Sequence, residues 1–312
     1  MTLHRASSHP LKDQFVPAQP RRREPGFRFR YRYDGERVMV QADDNEYLME
    51  LPLEWAFGAG AHGVTFVSRL NRLNYLEHAF SYYSDAGSLD ITPGHETIQP
   101  ETLVQAMGLR YSVRGPGNSI SHCFACHSTG PLSYSPSQEV EINEPGVRCE
   151  ICHGPGRSHL DAISGGDTAM ARAAIRNPKQ FAADELLQFC GDCHRDPRGP
   201  SDGFDLEVAW NVRHQPPYLR NSRCFQSSGE RLTCFTCHDP HEPVVRNRPV
   251  YYRERCMGCH EAGRMPAATC EAELPSDCTD CHMPTVSVNS NLKFKNHWIG
   301  IYLGDASVTP TP

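Results

Sequence analysis

Leu232-Thr233-Cys234-Phe235-Thr236-Cys237-His238-Asp239-Pro240-His241 contains the pentapeptide on which the reading of this chain turns: two cysteines, two residues apart, followed at once by histidine. The same pattern stands at Cys123–His127, Cys149–His153, Cys190–His194, Cys256–His260 and Cys278–His282. Six copies use 12 of the 14 cysteines in 312 residues. Given 14 Cys and 16 His, chance would supply roughly 0.03 copies. The pattern is therefore what the chain is organised around.

Cys-x-x-Cys-His is the attachment pattern of c-type haem, and the spacing has a mechanical reason. Two intervening residues let both sulfurs reach the two vinyl groups on one porphyrin edge. The next residue then overhangs the iron, where an imidazole serves as axial ligand. The expectation is six covalent haem c groups. Cys123, Cys126, Cys149, Cys152, Cys190, Cys193, Cys234, Cys237, Cys256, Cys259, Cys278 and Cys281 would hold them. His127, His153, His194, His238, His260 and His282 would be the proximal ligands. Structural zinc, the main competing reading, takes four ligands per ion and gives no reason for histidine to follow the second cysteine in every copy.

Composition agrees. On a like-for-like count the apolar share is roughly 42%, against about 45–50% for globular chains. The 24 Gly and 25 Pro favour short helices and irregular connections. Six flat, mostly apolar macrocycles would replace the missing aliphatic core. A net charge of −6 with dispersed Lys and Arg argues against a nucleic-acid partner, and no run is apolar enough for a transmembrane segment.

The fold class expected is mixed, with low regular secondary structure. Residues 1–25 read as a flexible tail containing Arg21-Arg22-Arg23. Residues 26–115 read as an antiparallel β-rich unit. Phe27-Arg28-Phe29-Arg30-Tyr31-Arg32-Tyr33 alternates strictly, Asp34-Gly35 is a turn, and Val38-Met39-Val40 returns. Strand-like runs follow at 47–51, 64–70 and 79–83. After Gly115-Pro116-Gly117, residues 116–312 read as a haem-packed domain of short helices and loops, with helical character over 167–189 interrupted by Pro178.

Ten histidines remain for the second axial positions. His159 follows the Gly154-Pro155-Gly156 turn, His241 follows Asp239-Pro240, and His297 precedes Trp298. His62 sits in a glycine-rich turn, and His95 follows Pro93-Gly94. These five are the distal candidates. His78, His122 and His214 have no distinctive local setting, and His4 and His9 read as solvated tail residues. Met265 and Met283 read as packing or linker residues. Cys224 and Cys270 stand outside every motif, either as a disulfide or as two buried thiols.

Gly146-Val147-Arg148-Cys149-Glu150-Ile151-Cys152-His153-Gly154-Pro155-Gly156-Arg157-Ser158-His159, Leu232–His241 and Asp277–Pro284 resemble the multihaem cytochromes grouped with the tetrahaem electron carrier of ammonia oxidisers and with hydroxylamine oxidoreductase. The resemblance covers roughly residues 115–300. It implies closely stacked haem pairs, with His159, His241 and His297 as distal ligands. The hydroxylamine-oxidising members carry eight haems, and the nitrite-reducing relatives attach their catalytic haem through a Cys-x-x-Cys-Lys motif. This chain has neither feature.

The function expected is electron transfer between redox partner proteins through mostly bis-histidine haems. Membership of a larger complex or homo-polymer is a further expectation, since strand edges invite docking. The alternative is a multihaem oxidoreductase with one five-coordinate haem acting on a small nitrogen or sulfur compound. Covalent haem attachment takes place outside the cytoplasmic membrane, so a periplasmic or extracellular location is expected. Residues 1–25 hold no apolar export stretch.

Overall fold

A computed structural model describes residues 2–16, 18, 20, 25–114, 119–198, 204–246, 248–260, 277–302 and 308–311. The arginine cluster at 21–23, the boundary at 115–117, Met265 and Cys270 fall outside them. The chain divides into two compact units, Met1–Arg176 and Asn177–Pro312.

The first unit is built on antiparallel strands. The alternating stretch forms the hairpin expected of it: Arg28–Asp34 pairs with Arg37–Asp43, and Leu48–Pro52 adds a third strand. Gly35, at φ +62, turns the chain where a side chain would be strained. A second sheet runs in the order Leu3–Arg5, Trp55–Phe57, Thr65–Asn71, Asn74–His78 and Gly108–Ser112, all antiparallel. The pair Phe80–Tyr83 and Ser88–Ile91 completes the strand set before residue 100.

Two expectations are corrected here. Residues 1–25 do not form a tail throughout: Leu3–Arg5 is a sheet strand, and Leu3, Ala6 and Phe15 are buried. Phe15 meets Phe66 and Tyr82 edge to face, which ties it into the aromatic core. Regular structure is also not low, at about 33% helix and 25% strand among the described residues. The reason is local: each Cys-x-x-Cys-His pentapeptide lies in or at the end of a helix, adding turns that hydrophobic periodicity does not reveal.

The break expected near residue 115 is bridged by packing. Ile120–His127, the helix bearing the first motif, belongs to the first unit. Phe124, between its two cysteines, is fully buried against Trp55, Phe57 and Tyr75, with ring centres 5.5, 5.3 and 6.1 Å away. Deleting such a ring costs both transfer energy and a cavity. Phe124→Ala is expected to lower the stability of this unit by about 3–5 kcal/mol. Hydrogen exchange in strands Trp55–Phe57 and Thr65–Asn71 of the whole chain would report it, and a loss under about 1 kcal/mol would show the helix is not anchored there.

The second unit is helical. Ala183–His194, Gln215–Arg220, Arg223–Ser227, Cys234–Cys237, Pro249–His260 and Cys278–His282 are joined by irregular segments and one short strand pair, Thr285–Ser287 with Lys293–Lys295. The helical stretch expected over 167–189 is broken as anticipated, into Thr168–Ala173 and Ala183–His194, with a 3-10 turn at Pro178–Gln180 between. The two units differ sharply in their cores. Among the described residues 30 apolar side chains are buried in the first unit and seven in the second. Those seven are Ala183, Leu186, Leu187, Val212, Tyr218, Leu219 and Leu292.

Candidate haem-binding site

Each motif is held by its own local device. Ser119, Thr233 and Asp277 stand just before the first, fourth and sixth motif helices and occupy their N-cap positions. Ser119 and Asp277 accept backbone N–H groups with their side chains, and Thr233 forms a capping box with Thr236. The second motif helix stops at Gly154, φ +76, which turns the chain into Arg157–Ser164, the helix that carries His159. The third motif ends the helix Ala183–His194 at Arg195, φ +86.

The imidazoles share one hydrogen-bond habit. Nδ1 of His127 lies 3.1 Å from the carbonyl of Thr2, that of His153 lies 2.8 Å from Arg176, and that of His282 lies 2.8 Å from Gly300. A carbonyl only accepts, so Nδ1 carries the proton and Nε2 the lone pair. His159 and His297 follow suit, with Nδ1 2.8 Å from the Ala171 carbonyl and 3.0 Å from that of Lys295. His241 sets Nδ1 3.2 Å from the Asp239 carboxylate. Metal-binding histidines are oriented in this way, with one nitrogen anchored and the other presented.

Arg176 is a positioning residue that sequence reasoning passes over. Its carbonyl takes the His153 proton and its N–H returns a bond to the His153 carbonyl at 3.1 Å. Its guanidinium donates to the carbonyls of Cys152 and Ile151 at 2.8 and 3.1 Å. Nothing in its sequence surroundings signals this, since the partner motif lies more than twenty residues upstream.

In the second unit four imidazoles gather, His194, His214, His238 and His297. The rings of His238 and His297 have centres 6.2 Å apart with planes 33° from each other. His297 is pushed down to about 4 by burial and by neighbouring His238. His214 is pushed down to about 3 by burial and by Arg213, Arg195 and His194. Burial likewise lowers His238 and, with Gln215 opposing it, His194. All four are therefore neutral near pH 7, the form that donates a lone pair to iron.

The sulfurs of different motifs also approach each other. Cys190 and Cys234 share a hydrogen bond that raises the pKa of the first and lowers that of the second. Cys256, pushed up to about 12 by burial, hydrogen-bonds Cys278. Motifs three and four, and motifs five and six, are thus brought together in pairs. Among the described residues no three His, Cys, Asp or Glu side chains converge as an ion cage.

Other histidines are placed elsewhere. His95 has its Nε2 3.1 Å from Glu77 Oε2 and is 2% exposed, so the nitrogen expected to bind iron is engaged by a carboxylate within the β-rich unit. His62 is exposed on the turn where Gly58 and Gly60 take φ of +115 and +81. His9 is buried rather than solvated: Nε2 donates to the Gly58 carbonyl at 2.9 Å, and Nδ1 accepts from Leu11 N at 3.0 Å. His78 is buried with Nε2 2.7 Å from Ser68 Oγ. The Cys224–Cys270 pairing lies partly outside the described residues.

The donor set fits the group the motifs call for: paired thiols, neutral imidazoles with Nδ1 anchored, and a second unit short of apolar core. No helix among the described residues is long and apolar enough to cross a membrane. No family model, curated protein or solved structure matches the chain.

Proposed function

We propose that the chain is a hexahaem c-type cytochrome that passes electrons between redox partner proteins through closely packed, mostly bis-histidine haems. The observation that carries this reading is the close approach of the His238 and His297 rings. Two imidazoles that bind one metal from opposite sides, each through a nitrogen about 2 Å from it, have ring centres roughly 6 Å apart. Theirs stand 6.2 Å apart, and one of the two belongs to an attachment motif.

Haem c supplies a one-electron iron couple. The protein's part is to attach, orient and shield. Cys234 and Cys237 would hold the porphyrin, His238 and His297 would give nitrogen ligands to its iron, and Lys295 O fixes the His297 tautomer. His153 and His159, with their Nδ1 protons given to Arg176 O and Ala171 O, present Nε2 in the same manner. The sulfur pairs Cys190/Cys234 and Cys256/Cys278 favour haems attached side by side, the arrangement that suits relay of single electrons. Histidine on both sides favours low potentials, because Met/His ligation raises them. Covalent attachment implies maturation in the periplasm or outside the cell.

The direct test is stoichiometry. A pyridine haemochrome assay on protein matured in a haem-attaching periplasm is expected to give six haems per chain. Fewer than six would sink the proposal.

A further inference from the structure

One histidine that sequence reasoning leaves aside has the setting of an iron ligand. His214 stands between the 3-10 turn Ala209–Arg213 and the helix Gln215–Arg220, whose first turn holds the buried Pro216 and Pro217. Its backbone is therefore stiff. Its ring lies edge-on to Phe204 at 5.9 Å, and its Nε2 is buried with no hydrogen-bond partner among the described residues. A buried polar atom without a partner costs stability, so such an atom calls for an explanation. Nε2 is also the nitrogen through which His159 and His297 would bind iron.

The neighbours say which iron. The Phe204 ring that His214 meets also receives the guanidinium of Arg195, 4.7 Å from its centre; Arg195 directly follows His194, the histidine of the third motif, and the helix Gln215–Arg220 packs on Ala183–His194. Arg213 stacks on Trp210 at 4.1 Å, and its Nε is buried and likewise unpartnered among the described residues. A buried, unpartnered imidazole nitrogen with an arginine beside it matches the two things a haem presents: a ligand position on iron and its peripheral carboxylates.

We propose that His214 is the sixth ligand of the haem attached at Cys190 and Cys193, opposite His194, and that Arg213 pairs with a carboxylate of the same haem. The inference rests on the hexahaem reading. The bond is a lone pair given by neutral imidazole to iron, with no change of redox state and no proton displaced.

The test uses the mature full-length protein and reads spin state by electron paramagnetic resonance and resonance Raman. Wild type is expected to show no high-spin haem at this position. His214→Ala is expected to keep six haems while one becomes high-spin, and added imidazole should return it to low spin. His214→Met is expected to remain six-coordinate and to raise one midpoint potential, a change that loss of a merely structural residue would not produce. Arg213→Leu should leave spin states unchanged and lower one midpoint potential. Six haems with unchanged spin states and potentials in both His214 variants would overturn this inference and leave the hexahaem reading standing. So would a wild-type high-spin signal at this haem that shifts on adding nitrite, which would make the cluster an oxyanion pocket over an open iron. A haem count below six in wild type would instead overturn the reading beneath it.

Discussion

Made in a compartment that attaches no haem, the chain is expected to fold around its N-terminal aromatic cores and to leave residues 177–312 open to protease. The reason lies in where apolar surface is buried. Both clusters of packed apolar residues, one around Phe15, Phe66, Phe80 and Tyr82 and the other around Trp55, Phe57, Tyr75 and Phe124, belong to the first unit. Each fully buried apolar side chain contributes about 1.5–3 kcal/mol. Seven of them among the described residues of the second unit, two being alanine or valine, cannot offset the ordering of a unit this long. Covalent macrocycles would supply the missing contact surface and cross-link the segments, so attachment and folding would be coupled, as they are in small metal-dependent domains. Limited proteolysis followed by mass spectrometry checks this directly. The expected result is a resistant fragment containing residues 3–142 and rapid loss of everything beyond Arg176. Equal resistance of both units without haem would refute the idea that cofactors form the second core.

Much of this was legible in the sequence because its signals are local. The alternation from Phe27 to Tyr33 with Asp34-Gly35 specifies the hairpin through pleat and turn geometry alone, and the six pentapeptides single out six candidate ligand histidines through spacing alone. The turn at Gly154 and the break at Pro178 depend on single residues and formed as read. What failed depends on distant partners. Leu3 and Phe15 look like tail residues until strand Trp55–Phe57 and Phe66 are placed beside them. His95 and His214 look alike as lone histidines. One meets a carboxylate through Glu77, whereas the other ends as a buried nitrogen among arginines. Arg176 clamps a motif through backbone carbonyls, which any sequence would provide. Candidate second ligands are the hardest to read for the same reason, since nothing near them in the chain states which motif each would serve.

Replacing His297 with Met is expected to raise the midpoint potential of one haem on the order of 0.1 V, inside the roughly 0.8 V range that axial ligands span. The substitution suits the site because the backbone there is held independently of the ring. Ser222 Oγ donates to the His297 carbonyl at 2.9 Å and accepts from Ile299 N at 2.8 Å. Asn296 is fully buried, and its side chain accepts from Trp298 N at 2.9 Å. A new side chain at position 297 therefore starts from the same place. Thioether sulfur is a softer and weaker donor than imidazole, so it favours the reduced iron and lifts the potential. Alanine supplies no donor and should turn one haem in six high-spin. A spectropotentiometric titration separates these cases, because only the component belonging to one haem should move. If all six potentials and spin states persist in both variants, the pairing of His238 with His297 is wrong, and the 6.2 Å approach of their rings has another cause.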